Sequence, residues 1–475
     1  MAHENDVTRR DFVKAAGAVS AVAAALPAAQ GAPFIQKVRA ANEQVQYGFI
    51  GTGSRGNYLL KHLHNVDGCR CVAVCDNYPP NLQKGIATAG NHPASYVDYR
   101  ELLARKDIDA VLIAVPLYEH YFITRDSLEA GKHTFCEKSL VFKAEEVHEL
   151  RALKAQHPNQ VLQVGLQRRY SKFYQTTRQM IEQGVLGNVT HIRGQWHRNS
   201  DQRRPVPDPS LERKINWRMY REYAGGNTAE LASHQIDVAD WMFGGPPDYV
   251  IGVGGLDTYK DGRDVYDNIQ LIYVYPNGRK LLYSSISTNS HLDLLQAQRQ
   301  EFGEVIMGTA GTIEITIGDD RNPAIALWYR EPKPIMAPKV DKANAKQEAL
   351  QAGATMTTAA ASRGIPLLLP KDAQSASDSF LSREAKYARR WLYSKGIMVP
   401  EETRNPVDVS MDEFFQCCRD PVNRKPKADV EVGLRDSTAV ILSNLAMDEH
   451  RRVDFSEMET MGLPGQTKTK LVTKA

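Results

Sequence analysis

Glu230, His234 and Asp237 stand at i, i+4 and i+7, a spacing that puts all three on one face of a helix. A histidine flanked by carboxylates is equipped for proton transfer. Imidazole titrates near neutrality, and an acid beside it orients the ring and stabilises the imidazolium. A solvated polar face or a metal site would give the same spacing. A second constellation lies near the start of the chain. The run Val45-Gln46-Tyr47-Gly48-Phe49-Ile50 leads into Gly51-Thr52-Gly53-Ser54-Arg55-Gly56, and the amphipathic stretch with Tyr58, Leu59, Leu60 and Leu63 follows at once. In the order strand, Gly-x-Gly-x-x-Gly, helix, this is a dinucleotide cradle. Gly51 permits the tight turn, Gly53 lets a pyrophosphate approach bare backbone, and Gly56 lets the helix pack close to the strand. The helix amides then meet the phosphates with the positive end of the dipole. The next strand, Cys69 to Cys75, ends in Asp76, twenty residues beyond Gly56. An acid there accepts hydrogen bonds from ribose hydroxyls and repels a 2′-phosphate, so NAD is expected over NADP. Because NAD accepts hydride without a metal, no metal site is expected.

These residues need elements to hold them. After Asp76 the chain alternates: a helix at Pro79 to Ala89, a short helix at Tyr99 to Arg105, and the apolar strand Asp109 to Val115 closed by Pro116. A helix over 120–130 that begins at His120, the strand Thr134 to Cys136, a helix at Ala144 to Ala155 and the strand Val161 to Gly165 follow. Such alternation predicts an α/β fold whose N-terminal part is a Rossmann-type, doubly wound parallel sheet. Gly53, Asp76, Pro116, Glu137, Lys138 and Gln167 all fall at strand carboxyl ends, the edge where ligands bind in such a sheet. Beyond about 170 the pattern changes. Strands near 189–198, 268–275 and 280–288 surround a helix from about Thr228 to Phe243. Pro276-Asn277-Gly278 marks a hairpin, and Gly308-Thr309-Ala310-Gly311 joins another strand pair. The expected organisation is therefore a signal and linker over 1–41, a Rossmann domain over 42–168 and an α+β domain with a mostly antiparallel sheet over 169–330. An Ala-, Lys-, Pro- and Gln-rich insertion over 331–376 and C-terminal helices over 377–475 that complete the second domain close the chain.

The chain has 475 residues, and 59 basic against 56 acidic side chains leave it without the basic field that nucleic acid requires. Six cysteines show neither disulfide framework nor zinc spacing, since Cys69, Cys71 and Cys75 share one strand and Cys417 adjoins Cys418. At the N-terminus, Arg9-Arg10 precedes the Ala-rich run Ala15 to Ala29. Paired arginines before a moderately apolar stretch resemble a twin-arginine export signal. The run is too short and Ala-rich for a lasting membrane anchor. Expected consequences are contact with the twin-arginine translocase, export of the folded protein and a periplasmic location.

The sequence resembles the glucose–fructose oxidoreductase / inositol dehydrogenase / rhizopine catabolism (Gfo/Idh/MocA) family over about residues 45–330 and 411–455. The resemblance rests on Gly51-Thr52-Gly53-Ser54-Arg55-Gly56, Glu137-Lys138, Val164-Gly165-Leu166-Gln167-Arg168-Arg169, Gly225-Gly226 with Glu230-x-x-x-His234-x-x-Asp237, and Gly308-Thr309-Ala310-Gly311-Thr312. Ser139 stands where the family usually has proline, and Glu230 where it usually has aspartate. The resemblance implies that His234 takes a hydroxyl proton, Lys138 polarises that oxygen beside the nicotinamide ribose, and Glu230 positions the substrate or the histidine. It also implies cofactor contacts from the whole glycine loop, Asp76, Pro116, His120, Glu137, Lys138 and Gln167. Trp196, Arg198, Trp217, Arg218 and Asp237 join the substrate side, where aromatics stack on sugar faces and arginines bind hydroxyls. The expected activity is oxidation of a CH–OH group of a sugar or polyol by a homo-oligomer. An NAD-dependent glycosidase working through a transient 3-keto sugar, and a noncatalytic sugar-binding protein, fit the same motifs.

Overall fold

The computed structural model describes residues 44–90, 92–290, 302–316, 325–331, 365–366, 380–397 and 403–463. The described residues form two sheets. The first holds β1 (Val45–Ile50), β2 (Cys69–Cys75), β3 (Ala94–Tyr96), β4 (Ala110–Ile113), β5 (His133–Cys136) and β6 (Leu162–Val164), all parallel, in the order β3-β2-β1-β4-β5-β6. The strand order reverses between β1 and β4, which places the ligand crevice of a doubly wound sheet outside their carboxyl ends. All four residues of β4 are buried and β1 is nearly so, as expected where helices cover both faces.

The glycine loop follows β1, and the helix Ser54–Leu63 starts from it. Gly51 has φ +90°, and an added Cβ would lie 2.7 Å from the Ala114 backbone; at Gly56 it would run into the carbonyl oxygen of Gly51. Both positions therefore require glycine, one for conformation and one for space.

The second sheet comprises β7 (Val189–His197), β8 (Tyr249–Gly255), β9 (Asn268–Val274), β10 (Lys280–Ile286), β11 (Phe302–Gly308), β12 (Gly311–Thr316), β13 (Ile325–Arg330), β14 (Ile365–Pro366) and β15 (Val453–Asp454). Its order is β14-β13-β12-β11-β7-β10-β9-β8-β15, antiparallel throughout except for the parallel pair β7–β10. The α/β class and the largely antiparallel second sheet match the expectation. The hairpin at Pro276-Asn277-Gly278 is present, with Asn277 and Gly278 at positive φ. Strands β3, β8, β14 and β15 carry weak sequence signals: three are two or three residues long and lie at sheet edges, and β8 has three glycines in seven residues.

Two differences bear on the expected organisation. Among the C-terminal helices one starts at Pro406, where the Asn405 side chain accepts from the Val407 amide. This helix, Pro406–Arg419, packs on the parallel sheet and not on the second domain: Phe415 meets Tyr47 at 5.4 Å and Phe414 meets Phe135 at 5.9 Å between ring centroids. The long helix Val430–Glu449 lies against both β6 and β8, so the C-terminal segment joins the two halves. Residues 1–41, with the arginine pair, and nearly all of 331–376 lie outside the described residues. Ile365 and Pro366 alone of that insertion's interior are described, paired to Trp328 and Leu327.

Candidate active site

A cavity of about 840 Å³ runs from the glycine loop along the carboxyl ends of the parallel strands to the second domain. Gly51, Gly53, Ser54, Arg55, Asp76, Pro116, His120, Glu137, Lys138 and Gln167 line it from the first domain, and Trp196, Trp217, Arg218, Glu230 and His234 from the second. Thr52, Gly56, Arg198 and Asp237 do not line it.

At the glycine loop the residues fit a dinucleotide. A Cβ on Gly53 would project into open space, with Asn81 at 3.7 Å its nearest neighbour, so bare backbone faces the cavity there. The first turn of the helix Ser54–Leu63 has no acidic residue to neutralise its dipole, which leaves the N-terminus free for phosphate. Asp76 is held in place by its own hydrogen bonds: Oδ2 accepts from the Thr52 amide at 2.8 Å, and Oδ1 from the Tyr78 amide at 2.8 Å. Thr52 therefore acts through Asp76. Glu119, which sequence reading passed over, adds a second acid to this end of the cavity. Burial and the neighbouring Asp76 charge push its carboxyl up to about 7. Arg55 is tied to Glu137 at 2.8 Å, linking the loop to the end of β5.

Lys138 leaves β5 and reaches across to the second domain. The Lys138–Ser139 peptide is cis. The Lys138 ammonium donates to the carbonyl oxygens of Ala229 at 2.8 Å and Glu230 at 2.5 Å, which leaves one of its three N–H groups for a ligand. Burial lowers its pKa, against the attraction of Glu230, Glu137 and Asp436. His120 lines the cavity but uses both ring nitrogens on backbone, Nδ1 with Ser139 O at 2.7 Å and Nε2 with Val115 O at 3.0 Å. It fixes the loop that carries Lys138.

The expected continuous helix from Thr228 is two pieces, a π-helical turn at Thr228–Ala232 and an α-helix at Ser233–Phe243. Such wide turns recur where a helix must redirect functional side chains. Glu230 and His234 face the cavity. Asp237 does not line the cavity, although three residues on from His234 it lies only about 60° away around the helix. It pairs instead with Arg169, with Oδ1 at 2.8 Å from Nε and 2.6 Å from Nη2. Two of the three residues therefore reach the cavity and the third does not.

The expected acid beside the histidine is also absent. Glu230 pairs with Arg218 at 2.7 Å, and burial opposes its charge while Arg218 and Lys138 keep its carboxyl below the usual value. His234 Nδ1 is buried without a hydrogen-bond partner, and the ring stacks on Trp196 at 6.0 Å. Burial, then the cations Lys138, Arg168 and Arg55, push its pKa well below the ordinary histidine value. Both effects favour the neutral imidazole, whose free ring nitrogen can accept a proton, and no carboxylate is hydrogen-bonded to Nδ1. Gln167 also presents a buried, unpartnered Oε1 at the cavity wall. Among the described residues no three His, Cys, Asp or Glu side chains converge on a metal position.

A family model described as "Oxidoreductase family, NAD-binding Rossmann fold" matches residues 45–166, and one described as "GFO/IDH/MocA C-terminal domain" matches residues 174–314. Together they span more than half of the chain. The chain belongs to the Gfo/Idh/MocA oxidoreductase family. An inositol 2-dehydrogenase/D-chiro-inositol 3-dehydrogenase of Lactiplantibacillus plantarum is 31% identical over 199 residues, 42% of this chain and 51% of that protein. The chain spans about half the length of the curated relatives it matches. Among solved structures, levoglucosan dehydrogenase in complex with NADH and L-sorbose has a TM-score of 0.63 at 18% identity, covering 87% of this chain and 99% of that one. The scyllo-inositol dehydrogenase of Lactobacillus casei with NAD(H) and scyllo-inositol has a TM-score of 0.58 at 17% identity, with 87% and 100% covered. At these identities the two structures establish that this Gfo/Idh/MocA protein shares their fold. Its first domain is the family's NAD-binding Rossmann domain.

Proposed function

We propose that this protein is a dehydrogenase that oxidises a CH–OH carbon of a sugar or polyol with NAD. One observation carries the reading: Lys138 from the first domain and the neutral His234 from the second line the same cavity as the glycine loop. NAD, when bound along Gly53 and Asp76, supplies the hydride acceptor. A substrate hydroxyl between the two side chains gives its proton to the His234 imidazole. The free N–H of Lys138 donates to the same oxygen and stabilises the negative charge that develops on it. Trp196 and Trp217 line the cavity, and aromatic side chains suit the C–H side of a sugar ring. The test is native mass spectrometry of the purified protein for bound NAD(H), followed by single-turnover NADH absorbance with inositols and aldoses. Accumulating NADH supports the reading. Cleavage of glycosides with no net NADH would move the protein to the glycosidase class, and neither outcome would leave a binding protein.

NAD rather than NADP is expected because Asp76 and Glu119 both face the adenosine end. Two like charges at about 4 Å repel by roughly 1–4 kcal/mol between the water and near-surface limits. Asp76→Asn removes the charge and keeps one of the two acceptor oxygens that hold the Thr52 and Tyr78 amides, so it narrows the NAD/NADP ratio of kcat/KM by about that energy. Equal use of both cofactors by the unaltered protein would refute the assignment.

Export by the twin-arginine route to the periplasm belongs to the same proposal, supported by Arg9-Arg10 ahead of the Ala-rich run. Replacing both arginines by lysine strands active precursor in the cytoplasm. Undiminished periplasmic protein in that variant would dismiss the pair as a signal. A homo-oligomer would bury the exposed Ile251, Val253 and Ile272, which share one face of β8 and β9.

A further inference from the structure

A second cavity of about 410 Å³ adjoins the first on the substrate side and shares Arg204, Ile215, Arg218 and Glu230 with it. Every lining residue comes from the second domain, between Arg198 and Leu231, so it lies apart from the glycine loop and its phosphate cradle. Its charged lining is Arg198, Arg204 and Arg218 against the single carboxylate of Glu230. Two of these guanidinium groups are spread over cavity tryptophans: Arg198 lies 5.0 Å from the Trp196 centroid, and Arg218 lies 4.2 Å from that of Trp217. Arg218 already holds Glu230 through Nε.

Arg204 is different from its neighbour. Arg203 is fully engaged, bonded to Glu212 and to Asp261 at 3.1 Å. No carboxylate pairs with Arg204 among the described residues; Glu230 attracts it from a distance but is bonded to Arg218. Burial and the like charge of Arg218 act against its own charge. Its backbone is nevertheless fixed. The buried Asn216 accepts from the Arg204 amide at 2.7 Å and donates to the Arg204 carbonyl at 3.0 Å, and it is itself braced by Glu212 at 3.0 Å. A guanidinium without a counter-charge, on a clamped backbone beside a second arginine, is a preorganised anion site. The planar fork of arginine suits the two oxygens of a carboxylate.

We propose that this second cavity receives an anionic substituent of the substrate through Arg204 and Arg218, so that the preferred sugar is an acidic one carrying a carboxylate or a phosphate and not a neutral polyol. The inference rests on the dehydrogenase reading for the reaction, while the binding itself is measured separately. Calorimetry on the NAD-loaded protein compares D-glucuronate, D-gluconate and D-glucose 6-phosphate with D-glucose and myo-inositol, and NADH formation is followed with the same five. At least one anionic probe binds tenfold or more tightly than the neutral ones. Arg204→Gln reduces that preference roughly 10–100-fold, the loss expected for a charge-assisted hydrogen bond. The glucuronate and gluconate arms against the phosphate arm tell which anion the site takes. Binding of an anionic probe that depends on Arg204 but yields no NADH would support the anion site and overturn the dehydrogenase reading. NADH formation with neutral sugars, together with no tighter binding of any anionic probe, would overturn the anion site and leave that reading intact. A preference that survives in Arg204→Gln also overturns it. Unchanged thermal unfolding of Arg204→Gln verifies that the replacement leaves the fold intact.

Discussion

Replacing His234 by alanine lowers the single-turnover rate of NAD reduction by roughly 10²–10⁴, the range for loss of a general base, while NAD binding persists. In the proposed reading the glycine loop and Asp76 hold the cofactor, at the opposite side of the cavity lining from the second-domain residue His234. Lys138→Ala costs a similar factor, since its free N–H is the donor aimed at the same oxygen. The double replacement costs much less than the product of the two, as for groups that act on one proton transfer. The pH profile carries an independent sign. Burial and three cations hold His234 below the usual value near 6.5, so the base form persists into mild acid. The acid limb of kcat/KM therefore lies below 6.5, and its loss in His234→Ala ties it to the imidazole. An acid limb at or above 6.5 would mean a carboxylate partner that the geometry does not provide. Full activity in His234→Ala would shift the role to Glu230 or to a tyrosine at the cavity wall such as Tyr223.

The parts of this site that sequence made legible are those set by local chain chemistry. A strand, three glycines and a helix must make a cradle, and the next strand must deliver Asp76 beside it, because parallel βαβ units are right-handed and short. Lys138 was legible as a strand-end residue for the same reason. What the sequence hid is set by partners distant along the chain. Helical periodicity alone puts Asp237 with His234, but an arginine sixty-eight residues upstream takes up its carboxylate. Glu230 reads as an acid for the histidine until Arg218 is found holding it. The helix Pro406–Arg419 follows the second domain in sequence and packs on the first, against Tyr47 and Phe135, which no local pattern could indicate. Arg204 and Glu119 sit in stretches with no motif, and only the folded cavity gives them neighbours.

Asp237→Ala is expected to cost stability and not catalysis. Asp237 and Arg169 are 2% and 9% exposed at their side chains and joined through three hydrogen bonds. Taking one member from a buried pair leaves an uncompensated charge and typically costs about 3–5 kcal/mol. Here the stranded cation is Arg169, with its guanidinium 5.3 Å from the Trp241 centroid at the junction of the two domains. Next to it Arg168 makes the matching link to Glu304 of β11, which Tyr174 also holds. The two arginines thus fasten the end of the Rossmann domain to opposite parts of the second one, the helix at Ser233–Phe243 and the sheet. Loosening the first link strains the placement of His234, three residues from Asp237, only after the fold itself has weakened. Urea unfolding of Asp237→Ala shows the loss as a lower midpoint, and the fraction still folded reduces bound NAD within about threefold of the unaltered rate, well short of a general-base effect. The joint replacement Arg169→Met with Asp237→Leu removes both charges and recovers most of the stability, as buried pairs replaced by apolar side chains of similar size do. A stable Asp237→Ala protein with a hundredfold slower chemical step would place the carboxylate in the reaction and restore the three-residue face.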